Sequence, residues 1–183
     1  MEDLQQIKNS FMQELNLAST GEPSSVSFLL TKLPDTKVDI GEEPYEVLVV
    51  GGSNYQQAIC QRHKNMVRVL SKKSGQIPTF DTKETFFAFV EQLLDLEIKT
   101  LVINFAFPMS SVIRQERLDG TLIQGTKGHT FAGLVGQLVG EVTELYFLEK
   151  FGRKLSVHVA NDTICLLLSG LTIGKASDLA CVS

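Results

Sequence analysis

Leu4, Ile7, Phe11 and Leu15 recur at helical spacing among polar residues, which predicts an amphipathic helix over residues 4–17. Gly and Pro between Ser19 and Ser25 end it. Val26 to Leu33 is a short apolar piece that stops at Pro34, and the polar, turn-rich DTKVDIGEEP runs on to Pro44. The main domain is expected from Tyr45 onward. Val47 to Val50 reads as a strand closed by the turn signal Gly51-Gly52-Ser53-Asn54. Two more short strands, Tyr55–Cys60 and Met66–Ser71, flank a polar RHKN turn. Asp81 and Glu84 form a D-x-x-E capping pattern ahead of Phe86, Phe87, Val90, Leu93 and Leu94, so a helix is expected to about Leu96. A buried strand, Thr100–Phe107, follows. Leu134 to Phe151 reads as a second helix with Gly133, Gly136 and Gly140 along it allowing close backbone contact. Leu155–Val159 reads as a strand, and Thr163–Leu171 as a last apolar helix. This order predicts an α/β domain with a mixed five-stranded sheet flanked by helices, plus an N-terminal helical extension. The boundary between the two is expected between residues 44 and 45, dividing the chain into 1–44 and 45–183.

A chain of 183 residues can bury a real core, and 43% hydrophobic with 21% charged residues is ordinary globular composition. Seventeen basic against 21 acidic residues give a net charge of −4, so there is no basic footprint and nucleic acid is not an expected partner. No apolar run reaches the roughly 20 residues that span a bilayer. The start, MEDLQQIKNSFMQEL, lacks the features of a signal peptide. No membrane partner and a cytoplasmic location are therefore expected. Cys60, Cys165 and Cys181 lack metal-ligand spacing and read as reduced core thiols.

Three segments could carry chemistry. Asp162 is expected at the carboxyl end of the Leu155–Val159 strand, where open α/β sheets place ligands. A carboxylate there can take the proton of a hydroxyl as its oxygen attacks a phosphoryl group. The same residue can instead cap the helix that starts at Thr163. Thr126-Lys127-Gly128 offers a hydroxyl and an ammonium for directed hydrogen bonds to sugar hydroxyls, or forms a solvent-facing turn. Gly51-Gly52-Ser53-Asn54 can present backbone N–H groups to phosphate oxygens, or can be a plain hairpin turn. His63, His129 and His158 do not cluster. His129 reads as an exposed loop histidine and His158 as one face of a strand, while Phe86, Phe87, Phe89 and Phe131 read as core. No metal site is indicated.

The order Phe105-Ala106-Phe107-Pro108, Leu118-Asp119, Thr126-Lys127-Gly128, Asn161-Asp162-Thr163 resembles the sugar-binding half of hexokinases. FMQEL and LLTKLPDTKV look like the lead-in helix and the segment before that family's phosphate loop, so the resemblance spans nearly the whole chain. It implies one ribonuclease-H-like unit of the actin-like ATPase superfamily. It also implies ATP-dependent phosphorylation of a hexose, glucose above others, with Mg2+. Carried over by position, Asp162 would be the general base. Thr126, Lys127, Asn161 and Asp162 would contact the sugar, and Gly51, Gly52, Ser53 and Asn54 would line the phosphate side.

Several positions depart from the hexokinase pattern. Val49 stands where the family has the aspartate that organises the metal, and Gln56 where it has an arginine. Ala106 replaces a serine of the sugar site, and Gly125 a tryptophan. The family's second phosphate loop and adenosine site would follow Ser183, so the chain is expected to need a C-terminal kinase half and to be nearly inactive alone. A non-catalytic relative that binds or senses sugar is the competing reading. The apolar faces of the first and last helices are expected to need some partner, so a homo-oligomer or a mobile N-terminus is expected.

Overall fold

Five strands assemble the central sheet, three of them (YEVLVV, TLVINF and SVHVAN) with alternate residues buried. The computed structural model describes residues 2–25, 41–64 and 66–171. The apolar piece Val26–Leu33, the polar stretch up to residue 40 and Cys181 lie outside the described residues. Two compact units are present, Met1–Leu30 and Thr31–Ser183.

The first unit is helix α1 (Glu2–Thr20), somewhat longer than its apolar stripe predicts. It ends because Gly21 adopts φ +79°. Gly21 N–H then donates to Ala18 O at 3.1 Å and Glu22 N–H to Leu17 O at 3.0 Å, a Schellman pattern that satisfies the last carbonyls. Leu4, Ile7, Phe11 and Met12 remain exposed on α1.

In the second unit, β1 (Tyr45–Val50), β2 (Asn54–His63) and β3 (Met66–Gln76) form an antiparallel meander. β4 (Thr100–Phe105) joins β1 in parallel, and β7 (Ser156–Asn161) joins β4 in parallel. The order is β3-β2-β1-β4-β7, the mixed five-stranded sheet expected from the sequence. Leu48 and Val50, Leu101, Ile103 and Phe105, and Val157 and Val159 point to one core, joined by Phe86, Phe87, Phe89 and Val90 of α2 (Lys83–Leu93). Val139 and Phe147 of the later helix α3 (Val139–Phe151) join the same core. α4 (Asp162–Leu171) packs on β4 and β7. Among the described residues no helix is long and apolar enough to cross a membrane.

Four local expectations change. The cap of α2 lies one residue on. Thr82 is the N-cap and accepts from Thr85 N–H at 3.4 Å, while Thr85 Oγ1 accepts from Thr82 N–H at 3.2 Å. Asp81 instead lends its carbonyl to Ala132 N–H and Thr130 Oγ1. α2 also stops at Leu93, leaving Leu96 in an exposed turn. The strand expected to Phe107 ends at Phe105, and a hairpin with no sequence-level expectation follows, β5 (Met109–Arg114) with β6 (Arg117–Leu122). α3 begins at Val139 rather than Leu134, because Gly133 and Gly136 both sit at φ +81° in the turns before it. Of the three glycines expected along that helix only Gly140 is inside it. A Cβ there would lie 2.7 Å from Asp119 Oδ2.

Candidate functional site

The site is organised by the turn after β4. Phe105 is the last inward residue of the strand, and Ala106 N–H extends the ladder by donating to Val50 O at 3.0 Å. The next carbonyls face other segments. Asn161 Nδ2 donates to Phe107 O at 3.1 Å and more weakly to Phe105 O at 3.4 Å. Lys127 Nζ donates to Ala106 O at 2.7 Å. Asn161 Oδ1 accepts from Thr163 N–H at 3.0 Å, so carbonyls on one side and an N–H on the other fix the orientation of its amide. Asn161 is buried, and these bonds hold the end of β7 against the turn.

Asp162 opens α4 immediately after that strand. Its Oδ1 accepts from Thr163 N–H at 2.8 Å and from Thr163 Oγ1 at 3.4 Å, contacts with the next residue only. The capping bond from the second helical residue goes to Asn161 Oδ1, so Asn161 rather than Asp162 caps α4. Asp162 Oδ2 has no hydrogen bond among the described residues. The carboxylate thus keeps one oxygen with which to accept a proton. Burial and the neighbouring Asp162 charge push the Cys165 thiol up to about 11.

Thr126 to His129 forms a tight turn with Lys127 at φ +56° and Gly128 at φ +84°, closed by His129 N–H to Thr126 O at 3.0 Å. Lys127 Nζ stands 5.5 Å from the Phe107 ring centroid. Thr126 Oγ1 is buried with no hydrogen-bond partner among the described residues. Gly125 has a steric cause. A Cβ there would be 2.3 Å from His129 O and 2.8 Å from Thr130 O, so no side chain, tryptophan included, fits this loop.

Gly51 to Asn54 is the hairpin turn between β1 and β2, closed by Gly51 N–H to Asn54 O at 2.9 Å. Lys127 lies against it: a Cβ on Gly52 would be 2.7 Å from Lys127 Cδ. His129 also reaches this turn, with Nε2 3.0 Å from Gly52 O, while Nδ1 accepts from Phe80 N–H at 3.0 Å. His129 is therefore not the exposed loop histidine expected. It is 7% exposed, set among Phe80, Phe107 and Phe131 with ring centroids 5.2 to 5.7 Å away. All eight candidate residues, Gly51, Gly52, Ser53, Asn54, Thr126, Lys127, Asn161 and Asp162, thus belong to segments linked through the Phe105–Phe107 turn or through the contacts of Lys127 and His129 with Gly52.

Val49 pairs in register with Gln56 on β2 and Asn104 on β4, so the strand ends beside the turn from Gly51 to Asn54 carry no carboxylate at these positions. Asn104 Oδ1 is buried without a hydrogen-bond partner among the described residues. Sequence reading passed over Asn104, although an amide inside the apolar TLVINFAF was a usable signal. It also passed over an ion network. Arg114 Nε meets Asp119 Oδ2 at 3.0 Å, and Arg114 and Arg117 meet Glu144 at 2.9 and 2.6 Å. These residues tie the β5–β6 hairpin to α3, so Asp119 of the Leu118-Asp119 pair is structural. His158 lies half-buried on β7, where burial, with Arg117 nearby, lowers its pKa.

No protein-family model and no curated protein matches the chain. Solved structures do. The hexokinase from Schistosoma mansoni complexed with glucose aligns with a TM-score of 0.64 at 25% identity over 88% of this chain and 38% of that one. A ROK family glucokinase from Streptomyces griseus in complex with glucose and AMPPNP aligns at 0.46 and 14% over 66% of this chain and 34% of that one. A ROK hexokinase from Thermus thermophilus aligns at 0.47 and 16% over 73% of this chain and 40% of that one. The fold is that of the actin-like ATPases. Within it the likeness is to hexokinase, in agreement with the resemblance to the N-terminal part of that family. The chain spans 38% of the hexokinase it matches.

Proposed function

We propose that this chain is the N-terminal, sugar-side part of a hexokinase-like kinase that transfers the γ-phosphate of ATP to a hexose hydroxyl, glucose first. The observation that carries the reading is that Lys127 and Asn161 both bond the Phe105–Phe107 turn, while Lys127 and His129 also reach the turn from Gly51 to Asn54. Asp162 Oδ2 is the base for the sugar hydroxyl. Thr126 Oγ1, buried and unpaired, and the remaining protons of the Lys127 ammonium bind other hydroxyls. Asn161 holds Asp162 in place through its internal bonds and borders the sugar. The turn from Gly51 to Asn54 faces the phosphates.

The donor set fits the two implied groups unequally. A hairpin turn with open N–H groups suits phosphate oxygens. Magnesium is not served by Val49, Gln56 or Asn104, since none is a carboxylate, and no step is drawn through it. A C-terminal kinase half would supply what is missing. Residues 1–44 are the helical extension and 45–183 the small domain, acting in the cytoplasm on a hexose, without nucleic acid or membrane, and with a homo-oligomer as one way to cover α1.

Titration of the isotope-labelled chain with glucose should shift the amides of Thr126, Lys127, Asn161 and Asp162. In the complete protein, Asp162→Asn should lower turnover by about 10²–10⁴-fold with glucose affinity retained. Silence of those amides at saturating glucose would remove the sugar site, and unchanged turnover would remove Asp162 as base.

The register pair Val49–Gln56 favours a second reading, a hexokinase relative that senses sugar without transferring phosphate. Such a protein would bind glucose while ignoring magnesium-nucleotide.

A further inference from the structure

His129 touches the two loops that the site depends on, and its hydrogen bonds define its tautomer. Phe80 N–H can only donate, so Nδ1 is the acceptor at 3.0 Å and the ring proton sits on Nε2. That proton points at Gly52 O, 3.0 Å away, which makes the contact a donated hydrogen bond. The peptide between Gly52 and Ser53 is trans, as no cis bond occurs among the described residues. In a trans peptide the carbonyl and the following N–H point in opposite directions. Holding Gly52 O toward His129 therefore turns Ser53 N–H away from it. Ser53 is exposed, and its N–H has no acceptor among the described residues. The other side of Ser53 is pinned as well, because its carbonyl accepts from Ile77 N–H at 3.0 Å.

We propose that His129 is a positioning residue: its Nε2–H, by fixing the Gly52 carbonyl, aims the Ser53 N–H outward as a donor for a phosphate oxygen. This rests on the phosphate-side reading of the turn from Gly51 to Asn54. Gly125 belongs to the same device. Only without a Cβ can residue 125 lie against His129 O, and that fold of the loop delivers the imidazole to Gly52. Lys127 packs on Gly52 from the same loop, so the sugar-side turn and the phosphate-side turn are set by one short segment.

Two substitutions divide the function of the ring. His129→Asn keeps an acceptor where Nδ1 stands and is too short to reach Gly52. His129→Gln keeps an N–H donor at the Nε2 position and gives up the bond from Phe80. Both lose the aromatic packing, so packing alone predicts equal effects. The readouts are the Gly52 carbonyl and Ser53 amide resonances of the isotope-labelled chain, free and titrated with magnesium-free tripolyphosphate. We expect His129→Asn to move both resonances in the free chain and to weaken tripolyphosphate about tenfold. His129→Gln should restore the wild-type positions and stay within about twofold in affinity. Unmoved resonances in His129→Asn, or equal shifts in both variants, would overturn the positioning role. Absence of any tripolyphosphate effect at residues 51–54 of the wild type would instead overturn the phosphate reading of the turn, and with it the ligand assigned to Ser53. The free-chain resonances still decide whether His129 orients the peptide.

Discussion

Asp119 accepts four hydrogen bonds from three segments. Oδ1 takes the N–H of Gly120 and of Gly140, and Oδ2 takes the N–H of Glu141 and Nε of Arg114. The N-cap of α3 is Leu138, which has no capping side chain, so a carboxylate from β6 caps the helix from outside it. Negative charge at a helix N-terminus is favourable there, and the pair with Arg114 neutralises it in a site only 1% exposed. Asp119→Ala leaves the N–H groups of Gly140 and Glu141 without that cap and Arg114 with Glu144 alone. Its expected cost is about 3–5 kcal/mol in urea unfolding. Asp119→Asn keeps acceptor oxygen and should recover part of that loss. A cost for Asp119→Ala below about 1 kcal/mol, the range of a surface pair, would show that the network is not what fixes the hairpin to α3.

At the scale of elements, the β5–β6 hairpin is stabilised despite its turn. Gln115 and Glu116 occupy φ +50° and +63°, conformations that side chains enter at a cost of roughly 1–2 kcal/mol each. Glu116→Gly relieves one of them and leaves the Gln115 contact to Arg117 in place. We expect a gain of about 0.5–1 kcal/mol, read as a melting temperature raised by about 1–4 °C. A lower melting temperature would mean that Glu116 contributes a contact outweighing its strain. The same turn explains why the hairpin was not legible in the sequence. Two-residue hairpins announce themselves through Asn-Gly or Asp-Gly, and Gln-Glu gives no such signal. Strands β1, β4 and β7 were legible, because VLVV, TLVINF and SVHVAN are apolar on the core face whatever surrounds them. The start of α3 was not. The apolar periodicity of Leu134 to Leu138 continues that of the helix, and only the backbone at Gly133 and Gly136 excludes it. The candidate site divides in the same way. Its motif residues stood in readable order, whereas the burial of His129 depends on Phe80, 49 positions away, which no local pattern reveals.

For the molecule as a whole, the likeness to hexokinase and its extent bear on one question, what this chain does unaided. It has a hexokinase fold and spans 38% of the hexokinase it matches. Phosphoryl transfer depends on holding donor, acceptor and metal in line while charge moves, so a partial cleft loses most of the rate even when its base is intact. On the proposed reading the deficit adds to that at Val49, which offers a metal no carboxylate. Sugar binding is less demanding: on the proposed reading Thr126, Lys127 and Asp162 all belong to this chain and would bind weakly without a second half. The 183-residue chain, given saturating glucose and magnesium-ATP in a coupled assay, should therefore turn over below about 10⁻³ s⁻¹, against about 10 s⁻¹ for a typical enzyme. Its glucose-induced amide shifts should persist in the same sample. Turnover near the typical value would show that these residues form a complete catalytic site. The proposal of a sugar-side part dependent on a second half would then fall, and Val49 would have to be compensated from within, with Asn104 the first residue to test.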